Sequence, residues 1–91
     1  MLSNTFVTNL TADGQVKGSA GYIKHYVVTN VTVGGTLTIY NSLTETGTII
    51  SQVTLPISNT PVYIPIEANA SIGIYVGFDV TLVGRVAVTY A

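Results

Sequence analysis

The stretch Gly21-Tyr22-Ile23-Lys24-His25-Tyr26-Val27-Val28-Thr29-Asn30 decides the fold class. Its β-branched and aromatic side chains suit a pleated, packed surface. At a period of two, Ile23, His25, Val27 and Thr29 share one face and Tyr22, Lys24, Tyr26 and Val28 the other. Both faces carry apolar residues, so the segment reads as a central strand. No helical spacing is sustained here or elsewhere over two or three turns.

Working outward, the same texture repeats between turn signals. Upstream, Thr5 to Thr11 reads as a strand ending at Asp13-Gly14, a dipeptide suited to a tight turn. Gln15 to Ser19 is a short continuation. Downstream, Val33-Gly34-Gly35 is a turn. Thr36 to Tyr40 then places Leu37 and Ile39 inward and Thr36 and Thr38 outward. Asn41 to Gly47 is polar and reads as a loop. Thr48 to Leu55 alternates well and ends at Pro56. Ser58-Asn59-Thr60-Pro61 is a turn, and Val62 to Ile66 is an edge strand because Pro65 lacks a ladder donor. Glu67 to Ala70 reads as a connection. Ile72, Ile74, Val76 and Phe78 face one way, with Gly73, Tyr75 and Gly77 opposite. Val80 to Val83 and Val86 to Tyr90 flank Gly84-Arg85, either as a hairpin or as one strand kinked at Gly84. The sum is seven to eight short strands and no helix. It predicts a single all-β domain over residues 1–91, an antiparallel sandwich of jelly-roll-like or Greek-key type, with a small barrel as the alternative.

Composition narrows the function. Ninety-one residues make one domain with a thin stability margin. The chain has no cysteine and one histidine, which leaves oligomerisation as the reinforcement open to it. Charged residues make up 8% of the chain, against about 25% in typical domains. So weakly charged a surface suits a protein packed against neighbours. Lys17, Lys24 and Arg85 are too few to neutralise a run of phosphates, which argues against a nucleic-acid partner. No apolar run approaches the roughly 18–20 residues of a membrane span. The first residues lack a signal-peptide pattern, which implies synthesis in a cytoplasm.

Reactive clusters are missing from the pattern. Asp13, Glu45, Glu67 and Asp79 fall in four separate turns or loops, with nothing in the sequence to bring them together. His25 has no nucleophile elbow to serve. Val33-Gly34-Gly35-Thr36 lacks the lysine and the helix of a phosphate loop. No catalytic residue, metal ligand or cofactor is implied. The tyrosines allow a sugar-stacking module as an alternative of another class, although the chain has no Trp.

The Gly21–Asn30 run leads into Gly34-Gly35-Thr36-Leu37-Thr38-Ile39-Tyr40-Asn41-Ser42. Ile72-Gly73-Ile74-Tyr75-Val76 and Gly84-Arg85-Val86-Ala87-Val88-Thr89-Tyr90 follow later. Together, over roughly residues 20–90, they resemble small β-sandwich virion proteins of tailed bacteriophages, especially capsid decoration (cement) proteins. Asn41 stands where the pattern more often has Asp. The resemblance implies a non-enzymatic subunit on the outer head surface of the virion. It would bind the major capsid protein as a homo-oligomer, a trimer being favoured. A tail, neck or fibre component is the alternative within that class. The expected contacts are Leu2 and Phe6 on an N-terminal arm spanning 1–9, Tyr63 and Tyr75 on outward faces, and Lys24 and Arg85 paired with a partner's acids.

Overall fold

The computed structural model describes residues 5–91 and contains eight strands. They are β1 (Phe6–Leu10), β2 (Gly14–Lys17), β3 (Gly21–Val33), β4 (Gly35–Thr44), β5 (Thr46–Leu55), β6 (Val62–Ala70), β7 (Ile74–Phe78) and β8 (Val83–Tyr90). β1 pairs with β8, β2 with β7, β3 with β6 and β4 with β5, all antiparallel. The chain is therefore one long ribbon folded at the β4–β5 hairpin and rolled up. Pairing of β3 with β8 and of β4 with β7 sews the roll into two sheets. Sheet A has the order β1-β8-β3-β6 and sheet B the order β2-β7-β4-β5. This is the eight-stranded jelly roll, and the described residues contain no helix.

The two sheets close over an apolar core. β3 contributes Ile23, Tyr26, Val28 and Val31, facing Leu37 and Ile39 of β4 and Ile74 and Val76 of β7. Such burial is the main favourable term for a chain without disulfides. Tyr26 is fully buried, and its hydroxyl lies 3.2 Å from Ser51 Oγ on β5, a polar tie between the sheets. Burial pushes the Tyr26 phenol above its ordinary pKa, and the Ser51 contact partly offsets this.

β3 reaches the core by breaking its own alternation. Ile23 and Tyr26 both point inward, so Lys24 and His25 between them both point outward. The register shifts at this point against β6 and β8 alike. A second break falls at Asn30, which adopts φ 59°, a conformation Asn tolerates better than most residues. It returns Val31 to the core and carries the strand on to Val33. The expected grouping of Ile23 with His25 and Val27 is thus corrected by a bulge. Val31 then exchanges two backbone hydrogen bonds with Ser58, pinning the turn that follows β5.

Other boundaries also shift. Asn41–Gly47 is not a loop, since β4 and β5 run through it to a hairpin tip at Glu45. Glu67–Ala70 continues β6, paired to Gly21–Ile23, with Glu67 at φ 54° absorbing the register shift. Ile72 does not join the inward row, because it lies in a turn and is half exposed. Val80–Leu82 is a turn, and β8 passes unbroken through Gly84. In that turn Asp79 accepts hydrogen bonds from the Thr81 and Thr36 amides, which hold its carboxyl below the usual range.

Tyr26 offers a direct test of the core. Tyr26→Phe should cost about 1 kcal/mol by leaving Ser51 without its partner. Tyr26→Ala should cost about 3–5 kcal/mol, a large share of the stability of so small a domain. Urea titrations of both variants check this, and equal costs would show that the hydroxyl carries the whole effect.

Candidate interaction surface

A jelly roll has two broad outer faces, and here the molecule is a slab of 35 × 32 × 17 Å. The faces differ in chemistry because the outward positions of their strands differ. On sheet A, Val7 of β1 aligns with Thr89 of β8, His25 of β3 and Pro65 of β6. The next outward row is Asn9, Ala87, Val27 and Tyr63. Val7 is 58% exposed and Tyr63 60%, and the Tyr63 ring lies 4.9 Å from that of His25. The middle of this face carries no formal charge. Arg85 sits beyond the second row at one end, opposite Thr29, and Lys24 and Glu67 sit at the other. Glu67 accepts a hydrogen bond of 2.7 Å from the Tyr22 hydroxyl, which raises the phenol's pKa.

The outer face of sheet B is more polar and internally bonded. Gln52 donates to Thr38 Oγ1 at 3.1 Å, and the Thr36 and Thr54 hydroxyls lie 3.5 Å apart. Tyr40 and Tyr75 pack with ring centroids 6.5 Å apart. The hairpin tip folds back over β4, so that the Glu45 side chain covers Gly77 of β7. A Cβ at Gly77 would meet Tyr40 and Glu45 at 3.0–3.2 Å, so the bare backbone here makes room for the tip.

This fold-back corrects the view that nothing gathers the acids. Glu45 meets Asp13, whose Oδ1 also accepts the Phe78 amide at 2.6 Å. The hydrogen bond to Asp13, then the like charge, raise the Glu45 carboxyl above its ordinary value. Burial and the same two acids raise the Tyr75 phenol. The pair anchors the β1–β2 turn and the hairpin tip. His25 projects from the opposite outer face, so it and the two carboxyl groups cannot act on one substrate.

The residues singled out from sequence divide accordingly. Lys24, Tyr63 and Arg85 share the outer face of sheet A, with Lys24 and Arg85 at opposite ends of it, while Tyr75 belongs to sheet B. Phe6 lies opposite Tyr90 at the end of sheet A, 5.8 Å from its ring and about half exposed. Phe6–Asn9 form most of β1 and pair with this chain's own β8. Leu2 lies outside the described residues. Val7, Val27 and Ala87 were missed, although apolar residues at outward positions of a strand are the signal that marks them. Two shallow depressions flank Thr11, one lined by Asp13, Phe78 and Asp79, the other by Asn30, Val83 and Arg85. No protein-family model matches the chain, and no curated protein or solved structure matches it.

The carboxyl pair makes stability depend on pH with a definite sign. A raised carboxyl pKa means that the fold favours protonated Glu45. Its contribution is therefore present below the ordinary carboxyl value of about 4.3 and is lost as pH rises through the raised one. Glu45→Gln should raise the melting temperature at pH 7, by removing one of two facing charges, and should flatten the decline above about pH 4.3. Thermal melts across pH check both effects.

Proposed function

We propose that this chain is a non-enzymatic virion subunit, a capsid decoration protein of the tailed-phage kind, that docks on the major capsid protein through the outer face of sheet A. The observation that carries the reading is the composition of that face. Val7, Ala87, Val27 and Tyr63 form an uncharged centre, and Arg85, Lys24 and Glu67 stand at its margins. Protein interfaces share this arrangement, with charge depleted at the core, Tyr and Arg enriched and a polar rim.

Two further considerations support it. A face without central charges binds with little desolvation cost, so a small subunit gains from modest apolar contact. Repetition of the contact over a lattice multiplies its effect, so each copy can bind weakly and still stay bound. Jelly rolls recur among viral coat domains, and the sequence resemblance points the same way. In this reading the protein is made in the host cytoplasm and acts on the outer surface of the head.

Tyr63→Ala should weaken co-sedimentation with expanded capsids by about 2 kcal/mol, on the order of thirtyfold per contact, and leave the β-sheet circular dichroism unchanged. Arg85→Ala removes a rim charge and should instead slow association and blunt its salt dependence. Wild-type protein that fails to co-sediment overturns the reading. Density at the neck or tail of an imaged virion would move the subunit to that part of the particle.

A further inference from the structure

Of the eight described strands, β1 alone has no buried residue. Phe6, Val7 and Asn9 are exposed, and Thr8 and Leu10 are partly buried. β1 is held chiefly by its backbone ladder to β8, from Phe6 opposite Tyr90 to Leu10 opposite Val86. A few side-chain contacts add to the ladder. The Phe6 ring lies beside that of Tyr90, the Thr8 and Tyr90 hydroxyls are 3.2 Å apart, and Leu10 packs at the margin of the core. A strand with so little burial opens far more readily than the domain unfolds.

β1 also ends at a hinge. It belongs to sheet A and the next strand, β2, to sheet B, so residues 11–13 carry the chain from one sheet to the other. All three are exposed, and the two shallow depressions lie on either side of Thr11. Asp13 is fixed to the body of the domain through the Phe78 amide. The freedom therefore lies in Thr11 and Ala12. Straightening these two residues would carry β1 off its own β8 and clear of the body.

We infer that β1 is an exchangeable strand, and that the seat it leaves on β8 is taken by β1 of a second copy. The occupant is fixed by the contact already described. The seat matches Phe6–Leu10 residue by residue, and a second copy's β1 brings the same ladder, the same Tyr90 contacts and the same Leu10. Leaving the seat empty would bare a row of backbone groups on β8. Exchange between two copies, or around a ring of three, leaves every seat filled. Its cost is confined to the hinge and to the lost free movement of the copies. Concentration decides which strand wins. The short link holds β1 near its own seat at an effective concentration on the order of 1 mM, so exchange takes over when copies are crowded to about that level. A borrowed β1 still supplies Val7 and Asn9 to the outer face of sheet A, so that face keeps its composition. The exchange does not depend on capsid binding.

The chain has no cysteine, so an engineered pair reports without background. Val7 and Thr89 face each other across the β1–β8 ladder, at a separation a disulfide can span once Val7→Cys and Thr89→Cys are introduced together. Protein held at about 1 mM and then oxidised should run on a denaturing gel without reductant at two or three times the 9.6 kDa chain mass. Reductant should return it to 9.6 kDa. The same chains oxidised at roughly 10 μM should stay at 9.6 kDa, because the bond then closes within one chain. Val7→Cys with Ile57→Cys puts the second thiol on an exposed turn outside the seat and measures chance collision. Deleting Ala12 shortens the hinge so that β1 no longer reaches its own seat, and should yield the multiples at the lower concentration too. The cysteine pair decides the matter whether or not the shortened chain folds. A band at the chain mass at both concentrations, or multiples no more abundant than in the collision control, overturns the proposal.

Discussion

The phase of β3 is the constraint on which the rest of the molecule depends. This strand sits inside sheet A, pairs on both sides and must feed the core along nearly its full length. It does so with inward residues at Ile23, Tyr26, Val28 and Val31, a spacing no unbroken strand can give. Without the shift at Lys24 and His25, burial of Tyr26 and Val28 would turn Ile23 to solvent. Without Asn30 in its left-handed conformation, Val31 would point away from the core and the bridge to Ser58 would be lost. The same shift has a consequence on the outside. It places Lys24 and His25 together on the outer face of sheet A, where His25 packs on Tyr63. Core and surface are thus settled by one irregularity.

Much of this was legible in the residues. The strands around Ile23–Thr29, Leu37–Ile39 and Ile74–Val76 are dense in β-branched side chains, and Pro65 correctly assigns β6 to an edge. The parts that were not legible share a cause. Asn41–Gly47 and Glu67–Ala70 are polar, yet they are strands because a paired neighbour satisfies their backbones. Local composition does not report a partner that is distant in sequence. The bulge in β3 is equally silent, since strict alternation of Ile23, His25 and Val27 is as plausible locally as the shifted pattern. The meeting of Asp13 with Glu45 needs the fold-back of a hairpin tip over Gly77, which only the assembled sheet provides. At the surface, Lys24, Tyr63 and Arg85 were recognisable as unusual side chains. Their union on one face required the strand order.

Scarcity of charge shapes the proposed capsid-facing surface, and it creates a hazard. A chain of net charge −1 has little electrostatic repulsion to keep copies apart, and a sandwich has open edges by construction. Guarding takes a different form at each edge. Pro65 and Glu67 at positive φ interrupt β6, a bulge between Ile49 and Ser51 and Gly47 at φ 113° interrupt β5, and β1 and β2 are short. Each device breaks the row of free backbone groups that a second strand would need. Backbone irregularity thus does at these edges what side-chain charge does in more highly charged sandwiches.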